Sequence, residues 1–383
     1  LVSGAAAVVW AAFPYFTNDQ VRQAILGGAK DLGAPGVDPV FGWGLLDVTR
    51  AAKGPSNFAW GDFNVSFSGN SVWRNAIVGG GGLVKSGSGI LTLAEAGSFS
   101  GDTRVVAGGL DVRKGLASNV SISSGASLWG SGAFGGNVSN SGAFLNGAAS
   151  PATIAGNYVQ SSTGNLGVWL GSKLGVTGTA TLAGQMSILG VRTGYTTASK
   201  ETLLTANGGV SGTFATLRAA PNVFLDASLS YDPNNVFLNI NRIDVTQAVA
   251  GMGLGGITLA SASRVEQAMQ AIDLQLGGAT GSGAIGGAFI DGAAALQGIT
   301  GAAQADASLR SLAGGLHGAS AELTHGAIDA GRRALDARID ALGRSAYTSG
   351  GWHRDLARSG TLAQSGFDRV DIDASGEMIG SDW

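Results

Sequence analysis

GGGGLVKSGSGILTLAEAGSFSGDTRVVAGGLDV, Gly79 to Val112, contains three short alternating pieces, ILTL (90–93), TRVV (103–106) and GLDV (109–112), set apart by glycine-rich turns. Period-two alternation over about four residues is a strand signal. The pattern continues as NVSI (119–122), ASLW (126–129), NVSN (137–140) and GAFL (142–145). A strand this short buries too little surface to stand alone, so it must share a core with its neighbours. Stacked coils provide that core: Leu91, Leu93, Leu110, Val112, Val120, Ile122 and Leu128 would line one continuous interior, as in a parallel β-solenoid. A β-sandwich is the competing solution for the same pattern. The expectation is a mainly β chain with its solenoid over residues 54–245.

Composition agrees with many short strands. Of 383 residues 65 are Gly, well above the usual ~7%, and only 13% are charged, about half the usual share. With 7 Pro and no three-residue glycine period the chain is not collagen-like, and 44% hydrophobic residues suffice for a core. A net charge of −3, with no basic stripe interleaved with aromatics, excludes nucleic acid as a partner. The absence of Cys removes disulfides, thiolate metal sites and a cysteine nucleophile together. No apolar run reaches the ~18 residues of a membrane-spanning helix.

On either side of the solenoid the periodicity changes. In residues 1–53, Ala5, Val8, Val9, Ala12 and Phe13 recur at helical spacing. Thr17-Asn18-Asp19-Gln20 then reads as a capping box, opening a second helix that stops at Gly27-Gly28. Over residues 246–349 the segments 264–276 and 321–342 read as helices. The second carries Ile328, Leu335, Ile339 and Leu342 on one side, with Arg332/Asp336 and Asp340/Arg344 pairs at i,i+4. The Gly/Ala-rich sequence between them reads as flexible. From residue 350 alternation resumes, notably in FDRVDID (367–373).

Catalytic chemistry finds little footing in these residues. A nucleophile needs an adjacent base, usually His, and only His317, His325 and His353 exist. They sit in or beside helical or strand-edge sequence without metal-ligand spacing. GxGxxG occurs at 130–135, 251–256 and 281–286, but a chain this rich in Gly yields about two such matches by chance. GGGG at 79–82 lacks the Gly-Lys-Ser/Thr of a phosphate loop, and Asp371 and Asp373 read as solvent-facing. The residues give no catalytic, cofactor-binding or metal site.

A family resemblance emerges at three places. LVSGAAAVVWAAFPYFTNDQVRQAILGGAKDLGAPGVDPVFGWGLLDVTRAAKG (residues 1–54) resembles the closing segment of subtilisin-like serine proteases of the exported autotransporter type: a small-residue helix, a second helix and the turn FGWGLLD (41–47). Gly82, Leu83, Lys85, Gly87, Gly89, Leu91, Leu93, Gly101 and Thr103 resemble the passenger-associated repeat of autotransporters, here at 79–112. The helix 321–342 followed by Trp352 resembles the pore-threading helix and first barrel strand of the transporter region.

The resemblance implies a fold and a division of labour. Residues 1–53 would be the C-terminal part of an α/β subtilase domain, 54–245 a right-handed β-solenoid passenger, 246–349 a linker with a pore-type helix, and 350–383 the start of an incomplete β-barrel. The intact parent would be a serine endopeptidase using Ser, His and Asp on peptide or protein substrates, with no cofactor, as a monomer at the bacterial outer membrane or cell surface. Leu1 would follow the proline of the Gly-Thr-Ser-x-Ala-x-Pro motif, placing the nucleophile about five residues upstream and leaving this chain inactive. A non-catalytic stalk or adhesin, or a pseudogene product, is the alternative. Without the protease sheet, Val8, Val9, Trp10 and Phe13 would leave the first 50 residues either poorly packed or docked on the open end of the solenoid as a cap.

Overall fold

The structure is a computed structural model describing residues 1–190, 193–220, 222–278, 284–344, 350–362 and 369–382, with the side chains of 315–319 outside the description. It divides into two compact units, residues 1–193, 198–220 and 227–241 in one, and 194–197, 221–226 and 242–383 in the other.

The first unit is a parallel β-solenoid of about seven turns with helices ahead of it. One face is an eight-stranded sheet running from Phe63–Ser66 through Leu83–Ser86, Thr103–Val105 and onward to Val210–Gly212. A second eight-stranded sheet runs from Asn70–Trp73 through Ile90–Leu93 and Gly109–Val112 to Thr216–Arg218. The third face, seven-stranded, starts at Gly115–Leu116 and finishes with the antiparallel pairing of Ala198–Ala206 and Asn235–Arg242. Equivalent residues stack in register: Leu91, Leu110, Leu128, Phe144, Leu166 and Met186 form one column, and none is exposed. Parallel pairing from coil to coil up to the closing antiparallel strands rules out the sandwich alternative.

Polar residues interrupt the interior at corners, where they bind backbone. Lys85 is fully buried, and its Nζ donates to Ser86 O (2.8 Å), Gly87 O (3.1 Å) and Ala107 O (3.3 Å) while lying over the Phe67 ring. In the same column, Asn140 Nδ2 donates to Asn165 O (3.0 Å), and Gln160 Nε2 donates to Gly164 O (3.0 Å) and Ala183 O (2.8 Å). Outside, an asparagine ladder ties coil to coil: Asn119, Asn137 and Asn157 Oδ1 accept from the backbone N–H of Asn137, Asn157 and Thr179 at 2.8–2.9 Å.

The second unit is largely helical. Helices are numbered along the chain: α1 (Val2–Ala12), α2 (Asn18–Gly27) and α3 (Val48–Ala51) precede the solenoid, and α4 (Val245–Gly251), α5 (Ile257–Leu276), α6 (Gly287–Gln297), α7 (Ala302–Ser311) and α8 (Gly315–Arg344) follow it. The Gly/Ala-rich sequence expected to be flexible instead holds α6 and α7. Leu296, Ile299, Ala305 and Leu309 pack with Phe224, Val249 and Met269 in one core, because Ala and Gly let the helix backbones approach until these few larger side chains meet. A buried ionic knot fastens α5 to the strand end: Arg242 pairs with Glu266 at 2.7 Å and with Asp273 at 2.8 Å, and Tyr195 Oη donates to Asp273 Oδ1 at 2.9 Å.

Strands Gly350–Leu362 and Val370–Asp382 form an antiparallel hairpin. Among the described residues they pair only with each other, so no closed barrel is present. α8 lies along this hairpin, with Arg358 Nη2 donating to Glu322 Oε1 at 2.9 Å and Arg338 to Asp382 Oδ2. Of FDRVDID, Phe367 and Asp368 lie outside the described residues; Asp371 and Asp373 are exposed. No described helix is long and apolar enough to cross a membrane.

Candidate functional site: the junction of the N-terminal helices and the solenoid

The opening helices fold for local reasons. Thr17 and Gln20 form the capping box of α2, with Gln20 N–H donating to Thr17 Oγ1 (3.2 Å) and Thr17 N–H to Gln20 Oε1 (2.9 Å). In FGWGLLD, Phe41 N–H donates to Asp38 Oδ1 (2.8 Å), and Lys30 and Leu45 exchange backbone bonds at 2.8 Å. Gly44 has φ +98°, and a Cβ there would sit 2.1 Å from Lys30 O, so no other residue closes this turn unstrained. Asp47 Oδ1 then caps α3 through Arg50 N–H at 2.9 Å.

These elements settle on the first coil of the solenoid through an aromatic corner. Phe16, 4% exposed, lies 5.5 Å from the Phe63 ring and 6.0 Å from Trp73. Tyr15 stacks on Phe67 at 4.3 Å, shares a 2.6 Å hydrogen bond with Ser71 Oγ and accepts from Trp73 Nε1 at 3.1 Å. Burial pushes the Tyr15 hydroxyl pKa up despite these bonds. Ser56 Oγ donates to Gly27 O (2.6 Å), and Asn75 Nδ2 to Arg50 O (2.8 Å) and Gly54 O (2.6 Å). Of the two expected outcomes for this segment, the structure shows docking. Val9 and Phe13 turn inward at 0% and 4% exposure, whereas Val8 and Trp10 lie on the opposite face, almost half exposed.

The titratable residues weighed from sequence do not gather here. His317 falls among side chains outside the description, and His325 is exposed on α8. His353 lies on the hairpin, with Nε2 3.4 Å from Asp355 Oδ1 and 3.8 Å from Glu377 Oε2. Strand pairing, invisible in linear spacing, brings these three ligand types together. All three are exposed to solvent, as ordinary surface side chains are. The GxGxxG at 130–135 lies on paired strands, where a Cβ at Gly130 would meet Phe144 at 2.4 Å, so it cradles no phosphate. That at 251–256 links α4 to α5, and the first three residues of that at 281–286 are outside the description.

The profile of the subtilase family matches residues 1–44, the segment built from α1, α2 and the FGWGLLD turn. This stretch is similar to the subtilases. The chain is 35% identical over 208 residues to the Neisserial autotransporter lipoprotein NalP of Neisseria meningitidis serogroup B, covering 51% of this chain and 19% of that protein. It is 33% identical over 171 residues to an extracellular serine protease of Serratia marcescens, covering 35% of this chain and 16% of the relative. Serotype-specific antigen 1 of Mannheimia haemolytica is 34% identical over 86 residues, 22% of this chain and 9% of the antigen. The chain thus spans under a fifth of the length of these curated relatives. The similarity therefore joins a subtilase-like segment, residues 1–44, to a β-solenoid in a chain that resembles an autotransporter over about half of its length.

Proposed function

We propose that this chain is the carrier portion of an exported subtilisin-like serine endopeptidase of the autotransporter type, acting on protein substrates at the bacterial outer membrane or cell surface. The observation that carries the reading is the junction: between α1 and α2 of the subtilase-like segment, Tyr15 and Phe16 form an aromatic corner with Phe67 and Trp73 of the first solenoid coil. Such a seat would hold a catalytic domain rigidly away from the membrane.

The Ser, His and Asp of the family are assigned outside residues 1–383, with no cofactor. In the intact parent the His would take the Ser proton while oriented donors hold the developing oxyanion. The 383-residue chain should leave casein intact. The same chain extended upstream through a Gly-Thr-Ser-x-Ala-x-Pro motif should hydrolyse it and be silenced by a serine-directed fluorophosphonate. Fluorophosphonate-sensitive cleavage by the 383-residue chain itself would overturn the assignment. A stalk or adhesin role is the second reading, supported by the similarity to a protein named serotype-specific antigen 1; an inactive extended chain would favour it.

A further inference from the structure

Helices α5, α6 and α7 enclose an open groove of about 750 Å³, within the range of small-molecule sites. Its walls differ in chemistry. One is apolar, made by Met269 and Ile272 of α5 with Phe289 and Leu296 of α6. The groove exists because α6 presents small residues there: a Cβ added at Gly292 would meet no atom within 4 Å.

One charged side chain faces the same space. Arg264 of α5 is exposed and lines the groove, and its guanidinium makes only a 3.5 Å contact to Ala313 O and no ion pair among the described residues. Apolar walls with a cation beside them are complementary to one ligand type, an aliphatic chain ending in a carboxylate.

We propose that this groove binds a long-chain monocarboxylic acid, its carboxylate held by Arg264 and its chain lying against Met269, Ile272, Phe289 and Leu296. The inference is independent of the protease reading, since it needs no catalytic residue.

Dodecanoate, kept below its micellar concentration, is titrated calorimetrically into the full 383-residue chain. One equivalent should bind, with dodecanol and octanoate each at least about tenfold weaker, the first for want of charge and the second for want of buried methylenes. Arg264→Gln, a surface change, should abolish the preference for acid over alcohol. Gly292→Leu, which adds a side chain into open space and removes a helix-interior glycine, should melt no lower than the parent and lose at least tenfold in affinity. The proposal is overturned by the absence of saturable binding, by undiminished binding to Gly292→Leu, or by an acid preference that survives in Arg264→Gln. A dimer that dissociates in Gly292→Leu, with no dodecanoate bound, would likewise overturn it and assign the groove to a second copy of this chain.

Discussion

Lys85 shows how one residue sets a corner of the solenoid. Its ammonium occupies the interior because three backbone carbonyls, Ser86, Gly87 and Ala107, converge on it. Lys85→Met keeps the stem and removes the donor, leaving these carbonyls unpaired, and should cost about 1–3 kcal/mol in urea unfolding. Burial also pushes the Lys85 pKa down. In the window between that lowered value and the ordinary lysine range near ~10.4, the unfolded chain binds more protons than the folded one. Stability should therefore rise with pH through that window, and Lys85→Met should flatten the rise. Lys85 is legible in sequence as a repeat position, but its role is not, because linear spacing cannot show that Ala107 O comes to the same point. The asparagine ladder is hidden for a related reason: its steps of 18, 20 and 22 residues follow coil length rather than a fixed period.

At the scale of elements, strands were more readable than the helices after them. Two-residue alternation survives in pieces of three or four because every inward side chain meets its equivalents one coil above and below, as Leu91 and Leu128 meet Leu110. α6 and α7 carry no such contrast; Ala and Gly fill both faces, and the core depends on scattered Leu296, Ile299 and Leu309. What orders this unit includes polar chemistry that no periodicity reports. Glu266 accepts two bonds from Arg242, at 2.7 and 2.9 Å, and one from Val245 N–H at 2.8 Å. Glu266→Ala leaves Arg242 with Asp273 alone and Val245 N–H without its acceptor, and should cost about 1.5–3 kcal/mol, whereas joint replacement of Arg242 and Glu266 by Met and Leu should be milder. A double-mutant cycle on the unfolding transition of the helical unit checks this; equal losses from the single and double changes would contradict it. Asp244 caps α4, accepting from Thr246 N–H (2.8 Å) and Gln247 N–H (3.0 Å). Burial raises its pKa, but these bonds together outweigh that, and the carboxyl sits below its usual range. Its contribution is complete above ~3.9 and fades as pH falls through the lowered value. Asp244→Ala should therefore destabilise by about 1 kcal/mol at pH 7 and by less in acid.

Across the whole molecule, stability in the first unit follows the logic of repeats: each coil rests on its neighbours, so a terminal coil needs a cover. Residues 1–53 supply it. They place Phe16, backed by Phe13, against Phe63 and Trp73, and they supply Arg50 O as an acceptor for Asn75. This makes the subtilase segment part of the solenoid's fold as well as of the proposed protease, and it separates two views of the junction. If α1 and α2 were only a leftover of another domain, their amides would exchange freely. As a working cap, Val9, Phe13 and Val21, all under 5% exposed, should exchange slowly, at rates approaching those of the strands around Leu91 and Leu110. Exposed Val8 offers the contrast within the same helix: truncating it should cost under ~0.5 kcal/mol, whereas Phe16→Ala should cost about 3–5 kcal/mol. Removing residues 1–53 altogether should uncover the aromatic end of the first coil together with its unpaired strand edges, and light scattering should then report end-to-end association. A truncated chain that stays monomeric and melts at the parent's temperature would show that the solenoid caps itself and that the junction adds nothing to its stability.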